Sequence, residues 1–311
     1  MSKDHVDLTG FFAILTLTFL WGLNYTAIKF SNAGLSPIFT TFLRSGIASG
    51  CGILYCLAIR QPLFQTGVIL FHGVVVGVLF GLEFVCLYLG VLYTDASRAV
   101  VLVYSAPIMV AAGAHFLLRE RLNVLKASGL VLAFLGIYLV FRGKPRNYGE
   151  LMLLGDVLEV MAAALWAATT LYIKKYLAPR VHPINTFLYQ LVFSVPIILF
   201  AAYAIEDHWV TKVDVYVTVS VVYQSLIVAF ASFFAWFKLI HVYPVGALSA
   251  FTFLTPVFGV LFGAVILKEQ LTAGLIVGLV LVSVGIYCTN HTKPQGVLRR
   301  NTRGSHNQRR R

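Results

Sequence analysis

The sequence predicts an all-α integral membrane protein with ten transmembrane helices arranged as two inverted five-helix repeats. Three observations carry that expectation. Hydrophobic residues make up 59% of the 311 and charged residues only 12%, about half the charged share of a soluble domain. Apolar runs long enough to cross a bilayer as helices recur along the chain, with short polar breaks between them. One segment, "SAPIMVAAGAHFLLRERL" from Ser105, returns as "LTPVFGVLFGAVILKEQL" from Leu254. That frame aligns Pro107 with Pro256, Glu120 with Glu269, Leu122 with Leu271, and Gly136–Tyr138 with Gly285–Tyr287.

The spans follow in order. After an N-terminal segment, 1–9, the first covers about 10–30; its apolar run is too long for a signal peptide and no small-residue cleavage site follows it. The second, about 37–58, opens on Pro37-Ile38 and carries Arg44; the third, 69–92, carries Glu83. The fourth, 97–118, holds Pro107 and stops at Arg119-Glu120-Arg121, and the fifth covers 124–141. The longest connector, 142–152, separates a first repeat at 10–141 from a second at 153–289. The sixth span, 153–175, repeats Leu20-Trp21 and Ile28-Lys29 as Leu165-Trp166 and Ile173-Lys174. The seventh, 183–204, repeats Pro37-Ile38 as Pro183-Ile184 and sets Gln190 opposite Arg44. The eighth, ninth and tenth cover 216–237, 244–266 and 271–289. Lipid offers no partner for a free backbone group, so each span must be helical. An odd number of spans per repeat inverts the second copy, an arrangement that places a shared site near the bilayer midplane.

The net charge of +12 does not point to nucleic acid. Seven of the 24 Lys and Arg fall in the tail 290–311, which lacks aromatics for stacking and reads as disordered and cytoplasmic. Contact with anionic membrane lipid suits it better. Counting Lys and Arg by side favours both termini in the cytoplasm. Cys51, Cys56, Cys86 and Cys288 sit in apolar runs without metal-ligand spacing, so no metal or cofactor is expected. Glycines four apart at Gly46/Gly50, Gly73/Gly77/Gly81, Gly259/Gly263 and Gly274/Gly278 predict close helix contacts, within a monomer rather than across a dimer.

These residues carry a resemblance. The two proline-to-glutamate segments, the "GLVLAFLGIYLV" and "GLVLVSVGIYCT" that follow them, and the early "FLWGLNYTAIK" resemble the drug/metabolite transporter superfamily, and within it the EamA-type transporters, over about residues 8–290. The resemblance implies export of amino acids, related metabolites or small organic compounds across the bacterial inner membrane. It also implies a cavity lined by the first, third, fourth, sixth, eighth and ninth spans. It does not fix the substrate.

The residues themselves sharpen this. Charges within spans are expensive and mark function or pairing. Glu83 and Arg44 fall at similar depth with Asn24 and Tyr104, predicting one polar layer. Glu83 is a candidate for a substrate amine or a coupling proton; a fixed Glu83–Arg44 ion pair is the equal alternative. Ser232 stands opposite Glu83, so the second half contributes neutral groups: Trp166, Thr169 and Thr170, then Tyr223 and Gln224, then Thr252 and Thr255. Trp21 and Tyr25 share a helix face with Asn24 between them. The candidate substrate-binding set is therefore Trp21, Asn24, Tyr25, Glu83, Tyr104, Trp166, Thr170, Tyr223, Gln224 and Thr252. Pro107 and Pro256, near mid-span, predict paired helix bends. Glu120 and Glu269 read as interfacial anchors, and Asp156 and Glu159 as acids favoured at a helix N-terminus.

The expected function is secondary transport of a small-molecule substrate by alternating access, with the proton a candidate coupling ion. No phosphate-binding loop is present to use ATP, and no HExxH or GxSxG suggests an enzyme. A channel or a non-transporting membrane partner stays open. Polyanions such as sugar nucleotides would need several deep cations, and Arg44 alone is placed deep. Amino acids, their analogues, and neutral or cationic drugs remain.

Overall fold

The computed structural model of the chain describes residues 6–117, 124–145, 148–178, 180–243 and 251–290. The Arg119-Glu120-Arg121 stop and the basic tail from 291 lie outside the described residues. The described chain is helical, with one isolated bridge, Leu35 to Val210. The helices are α1 (Leu8–Asn32), α2 (Pro37–Ala58), α3 (Val68–Tyr93), α4 (Ala96–Val103), α5 (Ala106–Leu117) and α6 (Val124–Arg142), then α7 (Glu150–Tyr172) and α8 (Pro183–Ile205). After them come α9 (Val215–Val222), α10 (Phe233–Val242), α11 (Leu254–Ile266) and α12 (Ala273–Asn290). π-helical turns at Ile173–Leu177 and Tyr223–Ser232 extend α7 and join α9 to α10; a 3₁₀ turn, Phe251–Phe253, leads into α11.

Among the described residues, seven helical stretches are long and apolar enough to cross a bilayer. The apolar stretches 127–142, 254–266 and 273–288 are shorter. Wide apolar exposure fits a lipid-facing surface: Leu54, Phe71, Phe116, Phe200 and Tyr203 all point outward.

The packing pattern repeats between the two halves. α3 lies against α7 and α8, while α1 lies against α9 and α2 against the π turn that follows it. α4 packs on α11, α2 on α8 and α6 on α12. The last pair touches nearly backbone to backbone: a Cβ on Gly274 would meet the Gly143 Cα at 2.6 Å. Gly77 likewise admits Phe193, whose Cβ would lie 2.3 Å from an added methyl. Most of the glycine faces are thus occupied within the chain, whereas Gly46 and Gly50 face open space.

Connector residues 33–36, 94–95, 143–145, 148–149, 206–214 and 267–272 gather at one end. There Ser36 N–H donates to Trp209 O at 3.0 Å, Lys29 Nζ donates to Thr94 O, and Thr272 Oγ1 donates to Gly143 O at 3.1 Å. At the opposite end the Tyr243 hydroxyl donates to Asp7 at 2.6 Å, and Asn185 binds the 61–63 loop.

Two acids of the second half cap helices of the first. Glu206, just past α8, accepts from Ser36 Oγ at 2.6 Å and from the Ile38 and Phe39 amides at 2.6 and 3.0 Å, at the start of α2. Glu269, past α11, accepts from the Ala96 and Ser97 amides at 2.7 and 2.9 Å, at the start of α4. Free N–H groups and the positive helix end favour a carboxylate at both places. Glu269 is therefore a long-range helix cap.

Pro107 and Pro256 both lie in the first turn of a helix, α5 and α11. A missing N–H is harmless there. The fourth span is interrupted by a turn at Tyr104 and Ser105, just ahead of Pro107. α4 ends at Val103 with Tyr104 as its C-cap, and Ser105 turns its hydroxyl back to Leu102 O at 2.7 Å before α5 begins.

Candidate functional site

The broken span borders a cavity of about 410 Å³. That lies within the roughly 300–1,000 Å³ of small-molecule sites. α1 supplies Trp21, Asn24 and Tyr25; α3 supplies Glu83 beside Phe80, Phe84 and Leu87; Tyr104 and Pro107 come from the break. From the second half come Trp166 and Thr170 of α7, Phe233 and Trp236 of α10, and Thr252 of the 3₁₀ turn. α2 and α8 add Arg44 and Gln190. The second and seventh spans thus join the six that the resemblance implied. The aligned pair Arg44 and Gln190 brings them in.

The walls are aromatic and ordered by ring contacts. Tyr104 meets Trp166 edge-on at 5.5 Å, and Trp21 meets Trp236 edge-on at 5.7 Å. Trp21 Nε1–H donates to Ser232 Oγ at 2.9 Å, so the residue aligned with Glu83 serves as a fastener for α1.

Arg44 and Glu83 are both buried, at 1% and 5% exposure. No ion pair or hydrogen bond joins them. The Arg44 guanidinium instead lies over the Phe84 ring, 4.2 Å from its centroid. Arg44 Nε and Nη1, Glu83 Oε2 and Asn24 Oδ1 have no hydrogen-bond partner among the described residues. Buried polar atoms are nearly always bonded. Four such atoms, on a basic, an acidic and an amide side chain, leave this wall with unused bonding capacity.

Eight of the ten residues expected to bind substrate line this cavity; Tyr223 and Gln224 do not. The Tyr223 hydroxyl donates to Leu20 O at 2.7 Å. Gln224 accepts from the Tyr88 hydroxyl and donates to Ser31 Oγ at 3.0 Å. Both fasten the eighth span to its neighbours. The π turn beginning at Tyr223 shifts the helical phase, which a 3.6-residue count does not foresee.

A second charged group lies towards the connector end. Arg98 of α4 donates from Nε to Asp156 Oδ1 of α7 at 3.1 Å, from Nη2 to Asp156 Oδ2, and from Nη1 to Gly143 O at 2.8 Å. Thr94 Oγ1 completes the carboxylate at 2.6 Å. Arg98 and Asp156 are 1% and 0% exposed. Asp156 is thus an ion-pair partner rather than an acid placed for the helix dipole. Arg98 is a second buried arginine, set at the connector end and held by Asp156, and it does not line the cavity as Arg44 does. Beside them, burial and then the Glu269 carboxylate push Asp95, in the α3–α4 connector, up to about 6, against the pull of Lys29 and Arg98.

Comparison with known proteins agrees with this architecture. The family described as "EamA-like transporter family" matches twice, over residues 8–142 and 153–291. A Bacillus subtilis protein called "Uncharacterized transporter YoaV" is 25% identical over 280 residues, 90% of this chain and 96% of its own. An "Uncharacterized transporter" of Archaeoglobus fulgidus is 30% identical over 275 residues, covering 88% and 95%. An Escherichia coli K12 protein called "Probable amino-acid metabolite efflux pump" is 27% identical over 286 residues, covering 89% and 93%. One solved crystal structure superposes with a TM-score of 0.64 at 19% identity, over 89% of this chain and 94% of that one, a likeness of fold. Helices of spanning length, a central cavity with unpaired charges and a family match in each half lead to one conclusion: the chain belongs to the EamA-like transporter family.

Proposed function

We propose that this transporter exports amino acids or closely related small metabolites across the inner (plasma) membrane, as a monomer, by alternating access of two inverted five-helix units. Ten spans with both termini cytoplasmic are part of this reading. The double family match, the repeated packing and the sorting of connectors to two ends support it. The observation that carries the substrate class is the pair Arg44 and Glu83, facing one cavity without bonding each other. An α-amino acid zwitterion presents an ammonium to Glu83 and a carboxylate to Arg44, each a charge-assisted bond. Its side chain then meets Trp21, Trp166 and Tyr104. A polyanion would find one cation, Arg44, among the described lining residues.

Purified protein in liposomes tests this with radiolabelled phenylalanine, leucine and threonine. Saturable flux that accelerates with unlabelled amino acid on the opposite side supports a carrier. Linear, unsaturable flux indicates a channel, and no flux of any solute indicates a partner role. Tight binding of a sugar nucleotide in place of amino acids would overturn the substrate class.

A further inference from the structure

One buried acid belongs neither to the cavity lining nor to the ion pair. Glu159 of α7 has 0% exposure, and neither of its carboxyl oxygens has a hydrogen-bond partner among the described residues. Its carboxyl fills space that exists because residue 90 of α3 is glycine: a Cβ there would stand 2.5 Å from Glu159 Oε1. Trp166 and Thr170 follow it by seven and eleven residues, on the same face of α7. Glu159 therefore lies about 10 Å along the helix from Trp166, on the connector side of the cavity.

Its charged and titratable surroundings are few. α1 brings Tyr25 and Lys29 within electrostatic reach, α3 brings Cys86, and Asp156 lies one turn earlier on α7. Arg98 of α4 is held by Asp156 and Gly143 O. Lys29 donates to Thr94 O, where Asp95 and Glu269 also act on it. α5 packs on α7 too, but its one titratable side chain, His115, stands at the opposite end of that helix. Among the described residues no donor or bonded cation thus meets Glu159, and a carboxylate left so would cost several kcal/mol.

We propose that Glu159 is the proton-binding site that couples transport to the proton gradient, protonated while packed against Gly90 and ionised when reorientation of α7 against α3 opens it to water and to the Lys29 ammonium. The O–H bond breaks, the proton passes to water at the connector end, and Lys29 balances the carboxylate. This rests on the transporter reading above and leaves Glu83 free for the substrate amine.

The proton itself is the first probe. Infrared difference spectra of the purified full-length protein, wild type against Glu159→Gln, are expected to contain one protonated-carboxyl stretch at neutral pH that the variant lacks. Glu159→Asp should move that band rather than abolish it, which keeps the test open if the Gln variant fails to accumulate. Identical spectra would overturn the proposal. In liposomes, one pH unit should support about a tenfold amino-acid gradient for one proton exchanged. Glu159→Gln should lose that gradient while keeping counterflow of the same amino acids. A variant that follows the pH gradient like wild type, or a wild type with counterflow and no pH response, would overturn the coupling role. Absence of any wild-type flux would sink the transport reading and the coupling role together, whereas an absent band would sink the Glu159 assignment alone.

Discussion

Two arginines lie buried with acids near them, and the two neighbourhoods are built in opposite ways. Arg98 and Asp156 grip each other through two bonds, with Gly143 O and Thr94 Oγ1 taking remaining positions. Arg44 and Glu83 border one cavity and do not touch. The contrast separates two uses of buried charge. A pair that satisfies itself joins α4 to α7 and asks nothing of a ligand. A pair that is held apart leaves bonding capacity unused at the cavity wall.

The largest effect expected from this contrast is on stability. Asp156→Ala leaves the Arg98 guanidinium buried without its carboxylate, at about 3–5 kcal/mol. The variant should be depleted from the membrane or melt far below wild type in detergent. Normal accumulation and melting would erase the distinction.

Glu83→Gln is the counterpart. It breaks no bond, so melting should stay within about 1 kcal/mol of wild type. It removes a charged acceptor worth roughly 1.5–3 kcal/mol to a bound amine, so amino-acid affinity should fall about 10- to 100-fold. Collapse of the protein in place of affinity would show that Glu83 is structural. Arg44→Gln should weaken binding similarly and additionally lose its contact with Phe84, at about 0.5–2 kcal/mol.

A smaller effect lies at the cavity rim. Trp21→Phe removes the bond to Ser232 and should destabilise by about 1 kcal/mol, read as a lowered melting temperature. No change would mean that this bond does not fasten α1.

A separate effect concerns pH beside the paired group. Folded Asp95 holds its proton up to about 6, whereas an unfolded aspartate releases it near about 3.9. Between those values the folded protein binds the extra proton, so this residue's share of stability falls as pH rises through the window and stays low above it. Melting temperatures taken from pH 4 to 7 should show that slope in wild type and lose it in Asp95→Asn. An unchanged slope would assign it elsewhere.

Much of the paired-and-unpaired contrast was hidden in the sequence for definable reasons. Apolar run length and position along each run locate Asn24, Arg44, Glu83 and Tyr104 at one depth, and the four line one cavity. Rotation about the helix axis is less legible wherever the helix departs from regular winding. Tyr223 and Gln224 begin a π turn and face neighbouring helices instead of the cavity. Arg98 is the third residue of α4, at the very start of the fourth span, where position along the run marks a charge at the span's end and not a buried one. Its partner Asp156 is 58 residues away, a pairing no local pattern contains. The Glu269 cap on α4 spans 173 residues and is invisible for the same reason. Pro107 was legible as a disturbance of the fourth span. That it opens a new helix follows from Ser105 and its turn to Leu102, a detail of side-chain bonding.

The central claim is that Arg44 and Glu83 stand apart so that a zwitterion can join them. Titration calorimetry on the purified protein tests it most directly, comparing phenylalanine with its methyl ester and its N-acetyl derivative. The account predicts that phenylalanine binds and that removing either charge weakens binding at least about tenfold. Equal affinity for all three compounds would contradict it.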